Sequence, residues 1–135
     1  MLWNKNEWFF FSDKEIQSTG ANPKDLDPVF MTRLSHVRRE FNKFFILLPN
    51  GLTTGNHSSK LHPKGRACDF TIPNLSGEGD ILRLYHLCRR HGLNGFGYYK
   101  NHIGVYSFHV DDRETPTIWY GTKEKKEDKW TMQTL

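Results

Sequence analysis

Between Phe30 and Phe44 the apolar side chains recur in steps of four, three, four and three, at Phe30, Leu34, Val37, Phe41 and Phe44. That period puts all five on one stripe of a helix. Asp27, just ahead of Pro28, supplies a start. Its short carboxylate can accept from the first unpaired N–H groups, and the fixed φ of proline suits the first helical turn. The run "FFILLP" then predicts a short buried strand, and "NGLTTGNHSSK" predicts a polar loop rich in turn formers. In "RACDFTIP" the side chains alternate as on a strand, with Ala67, Asp69 and Thr71 on one face and Cys68, Phe70 and Ile72 on the other, apolar one. A second helix over "GEGDILRLYHLCRRHGL" gathers Ile81, Leu84, Tyr85 and Cys88 on one side. Arg89, Arg90 and His91 suit its last turn, and Gly92 suits its end. "NGFGYY" and "IGVYSFHVDD" predict two further strands joined by a turn at Lys100 to His102. In the second strand Tyr106, Phe108 and Val110 face the core, opposite Val105, Ser107, His109 and Asp111. "EWFFFSDKEI" reads as an N-terminal arm or short strand whose aromatic residues pack on the body. The expected architecture is α+β, a small, mainly antiparallel sheet with helices packed on one face.

Length and composition narrow this picture. A chain of 135 residues makes one domain, read here as 1–135 with an aromatic arm over 1–20 and a charged tail over 123–135. Aromatic residues reach 14%, which argues for a packed globule. The net charge of +4 and pI near 9.1 point to an anionic partner, nucleic acid or a bacterial cell wall. The charge is dispersed, however: "KEKKEDK", Lys123 to Lys129, mixes both signs, and Arg38-Arg39 and Arg89-Arg90 read as exposed helix charges. No basic stripe interleaved with aromatics supports nucleic-acid binding. No segment approaches the roughly 20 apolar residues that span a bilayer. The opening "MLWNKNEWFFFSDKE" lacks the basic start, apolar run and cleavage site of a secretory signal, so the chain is read as made in a cytoplasm. Cys68 and Cys88 belong to no CxxC or CxxH pair and read as semi-buried free thiols.

The polar strand faces carry the chemistry. One presents Asp69, seven residues after His62 across a Pro-Lys-Gly corner; the other presents His109 and Asp111. Gly65 lets the backbone turn closely enough for His62 and Asp69 to converge. Two histidines and a carboxylate form a standard three-ligand set for catalytic zinc, which leaves a fourth position for water and lowers its pKa from about 15.7 to roughly 7. The same set accepts other divalent metals. By spacing alone, a His and an Asp seven apart also arise by chance among unrelated surface residues.

The wider pattern is more specific. "HPKGRACD" has the form H-x-x-G-R-A-x-D, and "FHVDDR" supplies a later H-x-D. Together they resemble the zinc D-alanyl-D-alanine carboxypeptidase and L-alanyl-D-glutamate endopeptidase family of cell-wall peptidases, which includes many phage endolysins and shares its fold with the hedgehog signalling domain. "WFFFSDKEI", "FMTRLSHVRREFNKFFILL" and "GFGYYKNHIGVYSFHVDDR" resemble the family's aromatic arm, its first helix and strand, and its strand leading to the last ligand. The resemblance implies zinc ligands at His62, Asp69 and His109. Two departures stand out. Thr53 occupies the place of a carbonyl-polarising arginine, and Lys60 stands where relatives often carry a serine, with Ser59 one residue further back. Losing a cation near a developing oxyanion costs a few kcal/mol of transition-state stabilisation, so either Lys60, Lys64 or Arg66 replaces it or the activity is weak or absent. Tyr106 stands where several relatives carry a carboxylate base, which leaves Asp111 as the candidate for proton transfer. Asp111 reads equally well as an acceptor that orients a ligand histidine, with Asp112 and Glu114 as weaker bases.

The function expected from this reading is zinc-dependent hydrolysis of an amide bond in peptidoglycan stem peptides, by a monomer acting at the bacterial wall, a placement that fits a phage lytic or tail-associated enzyme. His62, Asp69 and His109 would hold zinc, Asp111 would move the proton, and Arg66, Lys64 and Ser59 would contact substrate. The alternative from another class is a zinc-stabilised module that binds wall peptides without cutting them. Tyr98, Tyr99 and Trp119 are open either to an aromatic wall for a peptide or to plain packing. His36, His57, His86, His91 and His102 read as ordinary loop or helix histidines.

Overall fold

A computed structural model of the protein describes residues 11–43, 45–52 and 61–135. The predicted stripe helix, α2, runs Pro28–Phe41, with Asp27 Oδ1 accepting from the Phe30 N–H at 2.9 Å as its cap and Asn42 closing it in the left-handed region at φ 57°. Phe30, Leu34, Val37 and Phe41 are buried as the stripe requires; Phe44 lies outside the described residues. The second helix, α3, spans Glu78–Arg90 and buries Ile81, Leu84 and Cys88, with Gly92 at φ +80° just past its end.

The N-terminal segment differs from expectation. Asp13–Ser18 form a short helix, α1, because Ser12 caps it by accepting from the Glu15 N–H at 3.1 Å, and Phe11 and Ile16 are buried beneath it. Residues 1–10 of the predicted arm lie outside the described residues. Arg38 also departs from its reading as an exposed helix charge. It makes two parallel 2.8 Å bonds to Glu15, donates to the Phe45 carbonyl at 3.0 Å and lies 4.4 Å above the Phe11 ring, so it ties α1 to α2.

The fold is α+β, with a six-stranded mixed sheet in the order β1-β2-β4-β3-β5-β6. β1 is only Ile46–Leu47 and sits at an edge with Ile46 exposed, so it is shorter and less buried than "FFILLP" suggested. β2 (Ala67–Thr71), β4 (Tyr106–Asp111) and β3 (Gly95–Lys100) fall where the alternation placed them and pair antiparallel. β5 (Thr117–Thr122) was not foreseen; it lies parallel to β3. β6 (Thr131–Thr134) pairs antiparallel with β5 and corrects the reading of 123–135 as all tail. Only the mixed-sign stretch keeps that character, as a turn whose residues Glu124 to Lys129 are exposed.

One sheet face carries Cys68, Phe70, Phe96, Phe108 and Val110, all buried against the helix stripes. Phe45 stacks on Phe70 at 4.4 Å, and Phe70 meets Phe108 at 5.5 Å. Both cysteines are free and fully buried here, deeper than the semi-buried thiols expected. Among the described residues no helix is long and apolar enough to cross a membrane. The helices cover this face; the opposite face is left to the polar residues.

Candidate metal centre

His62 opens a 3₁₀ turn, His62–Lys64, that Gly65 closes in the left-handed region at φ 68°. A Cβ at Gly65 would stand 2.5 Å from the Asp25 carbonyl oxygen, and the Gly65 carbonyl accepts from the Asp27 N–H at 3.0 Å. The corner is thus pinned to the start of α2, and glycine is required both by conformation and by space. Asp69 is braced from the other side. Its N–H donates to Gly51 at 2.9 Å, and its carbonyl accepts from the Leu48 N–H at 3.1 Å. With both backbone groups turned that way, Asp69 meets its register partner His109 as a non-hydrogen-bonded pair, the kind that brings side chains closest.

The result is a cluster. His62 Nε2 lies 3.3 Å from Asp69 Oδ2, and His109 Nδ1 lies 2.9 Å from Asp69 Oδ1. One ligand atom from each of the three residues lies within 4.8 Å of the other two, so the group could hold a metal ion. His62 and His109 are buried and Asp69 is half-buried, which leaves the carboxylate side as the open approach. The donor chemistry fits a borderline divalent ion, two imidazoles and one carboxylate being a recurrent set.

Behind His109 stands a second arrangement. Its Nε2 is 2.7 Å from Asp111 Oδ2, and the Arg113 guanidinium clasps both Asp111 oxygens at 2.8 and 2.7 Å. Asp111 is fully buried with both oxygens engaged. Of the two roles open to Asp111 in the sequence, this geometry matches the orienting acceptor. It holds the Nε2–H, so that Nδ1, which donates to Asp69 in the metal-free protein, is the nitrogen that can give up its proton to a metal at the shared ligand position.

Electrostatics follow the same contacts. Burial favours the neutral acid at Asp69, but the bonds to His109 and His62 outweigh it and hold its pKa down at about 2. Burial opposes charge on His109 too, yet the carboxylates of Asp111 and Asp69 lift it to about 9. Asp111 is likewise held well below the usual carboxylate range: burial raises it, and Arg113 and His109 more than reverse that.

Two glycines make room for these partners. Gly95 and Gly97 of β3 lie directly across from Asp111 and His109. A Cβ at Gly95 would reach 2.0 Å from Asp111 Oδ1, and one at Gly97 would reach 2.3 Å from the Trp119 indole. Trp119 therefore crosses β3 to lie 5.4 Å from the His109 ring, with the Arg113 guanidinium 4.9 Å from its centre and its Nε1–H donating to the Tyr99 hydroxyl. Tyr99 in turn meets Trp130 edge-on at 5.4 Å. Tyr98, grouped with them in the sequence, points to the helical face beside Tyr120.

The remaining predicted residues scatter. Arg66 donates to Asp112 at 2.7 Å, so that pair holds the corner to the end of β4, and burial pushes the Asp112 carboxyl up against the pull of Arg66. Lys64 and Glu114 are exposed, and Tyr106 faces the helical side as its strand position required. Thr53, His57, Ser59 and Lys60 lie outside the described residues. His36 and His91 are half-buried with their rings stacked 5.6 Å apart, whereas His86 and His102 are exposed. The sequence did not point to Arg113 or to the two glycines. Their signal was available: glycine at a strand's period of two, "GFG", opposite a strand carrying His and Asp at the same period. Compared with protein-family models, with curated proteins and with solved structures, the chain shows no match in any of the three.

Proposed function

We propose that this chain is a zinc peptidase that cleaves an amide bond in peptidoglycan stem peptides, with a fold of the hedgehog and D-alanyl-D-alanine peptidase kind. One observation carries the reading. His62, Asp69 and His109, the positions the motif resemblance assigns as ligands, come from a corner and two paired strands to within 4.8 Å of one another, with Asp111 fixing the last of them from behind. Zinc bound there would polarise an amide carbonyl and make water a nucleophile near neutral pH. The chain's own residues do the rest. Asp111 and Arg113 hold the His109 ring, Trp119 shields it from solvent on one side, and the half-exposed Asp69 marks the side from which substrate enters. The basic surface suits an anionic wall.

The test is digestion of purified peptidoglycan by the zinc-loaded protein, with fragments identified by mass spectrometry. New amino termini are expected from the wild type and none from His62→Ala. A His62→Ala variant with full lytic activity would sink the mechanism. A second reading, a zinc-stabilised module that binds wall peptides without cutting, is favoured by a different observation. Among the described residues the carboxylates on this sheet face are Asp69 and Asp111, and Asp111 has no oxygen left for proton transfer. Sedimentation of the protein with wall fragments, with no new termini released, selects that reading.

A further inference from the structure

On the helical side of the sheet, between α2 and the end of α3, lies a cavity of about 540 Å³. It is lined by Val29, Thr32, Arg33 and His36 from α2, by Arg90 at the end of α3 and by His91 and Gly92 just past it. Thr32 is 4% exposed, and its hydroxyl has no hydrogen-bond partner. Its neighbour Ser35 does what a helical hydroxyl ordinarily does and bonds back to the Met31 carbonyl at 2.8 Å. A buried hydroxyl left unpaired beside a cavity calls for a partner.

Arg33 adds the charge. It is half-buried, and among the described residues it makes no hydrogen bond or ion pair. Its guanidinium lies flat along Gly92, where a Cβ would stand 3.0 Å from Nη1. The carboxylates around it are already engaged. Asp112 is bonded to Arg66 at 2.7 Å, while Glu40 sits 3.1 Å from His91 Nε2 and 3.8 Å from Arg90 Nη1. The stacked rings of His36 and His91 form the wall between them. Of the carbonyls at the end of α3, those of Leu87, Cys88 and Arg89 accept from the N–H groups of His91, Gly92 and Leu93.

We propose that this cavity binds a phosphate-bearing ligand, with the Arg33 guanidinium and the Thr32 hydroxyl as donors to its oxygens. A planar fork beside a hydroxyl suits a tetrahedral oxyanion. The cavity is much larger than one phosphate, so the group it takes is carried on a larger molecule. None of the residues of the metal centre lines it.

The test is titration of the full chain with inorganic phosphate at constant ionic strength, followed by the Arg33 side-chain N–H and Thr32 amide signals in NMR. Saturable shifts are expected that sulfate competes for and chloride does not produce. Arg33→Gln should weaken binding about tenfold or more, and Thr32→Val by about tenfold, since each removes a bond to a charged ligand. Thr32→Val should fold at least as well as wild type, because the methyl replaces a hydroxyl without a partner. If Arg33→Gln does not fold, Arg33→Lys serves in its place; it keeps the charge, loses the fork and should bind several-fold more weakly. A response to phosphate no different from that to chloride, or one that survives both substitutions, would overturn the proposal.

Discussion

Gly95→Ala probes the support behind His109 without touching a ligand. The new methyl would stand 2.0 Å from Asp111 Oδ1 and 2.5 Å from Arg113 Nε, where ordinary contact begins at 3.4 Å. The carboxylate must therefore move by more than an ångström, and it is buried with bonds at 2.7 Å to His109 and at 2.8 and 2.7 Å to Arg113. Overpacking of this kind costs about 1–3 kcal/mol, and losing one charge-assisted bond about 1.5–3 kcal/mol. The stiffer chain returns about 0.4–1 kcal/mol. The net expectation is a loss of about 2–4 kcal/mol, a fall of roughly 8–15 °C in Tm for a domain of this size. His109 would also lose its fixed orientation, and loss of such an outer partner lowers metal affinity about 10- to 100-fold. Thermal unfolding in the presence of a chelator reads the first effect, and competition for zinc against a chelating dye reads the second. Gly79→Ala is the control: nothing lies within 4 Å of its added Cβ, and in α3 it should stabilise by about 0.5–1 kcal/mol. A Gly95→Ala protein with wild-type Tm and wild-type zinc affinity would refute the role given to Asp111 and Arg113.

Other outcomes follow from the same contacts. Below pH 9 the metal-free His109 carries a proton that a metal must displace, so zinc affinity measured in competition should rise about tenfold per pH unit up to about 9 and then level off. The stability of the metal-free protein runs the other way. The raised pKa of His109 contributes fully below its ordinary value of 6.5 and is lost as pH climbs through about 9, while the contribution of Asp69 is present above 3.8 and lost as pH falls through about 2. Denaturant titrations across pH 6 to 10 should show the first decline. Cys68 and Cys88 are buried, and burial pushes both thiols up, so a thiol reagent should label neither in the native protein and both in denaturant. Arg38→Ala removes the Glu15 pair, the bond to the Phe45 carbonyl and the stacking on Phe11 together; a loss of about 3–5 kcal/mol is expected in urea unfolding.

Much of this molecule was legible in the chain because local rules determine it. The stripe from Phe30 to Phe41, the Asp27–Pro28 start, the alternation through Asp69 and through His109, and the glycine corner after His62 each rest on a few adjacent residues. Period and cap chemistry are enough to place them. α1 was missed because its cap, Ser12 to Glu15, sits in a run whose aromatic residues suggested a strand. β6 was missed because an edge strand with exposed side chains leaves little pattern, and β5 because its evenly half-buried side chains show no alternation and its parallel partner gives no hairpin signal.

The candidate ligands themselves were read from the sequence alone, since the motif names them. What only the tertiary structure decided was everything that depends on register. Pairing Asp69 with His109, and His109 with Gly97, sets which side chains meet and which positions must lack one. The clasp of Arg113 on Asp111 and the reach of Trp119 across a bare strand belong to the same class. A one-residue slip would turn each of these side chains to the other face. Residue spacing along one strand carries its own alternation, but the offset between strands is set by the whole sheet and the core packed against it.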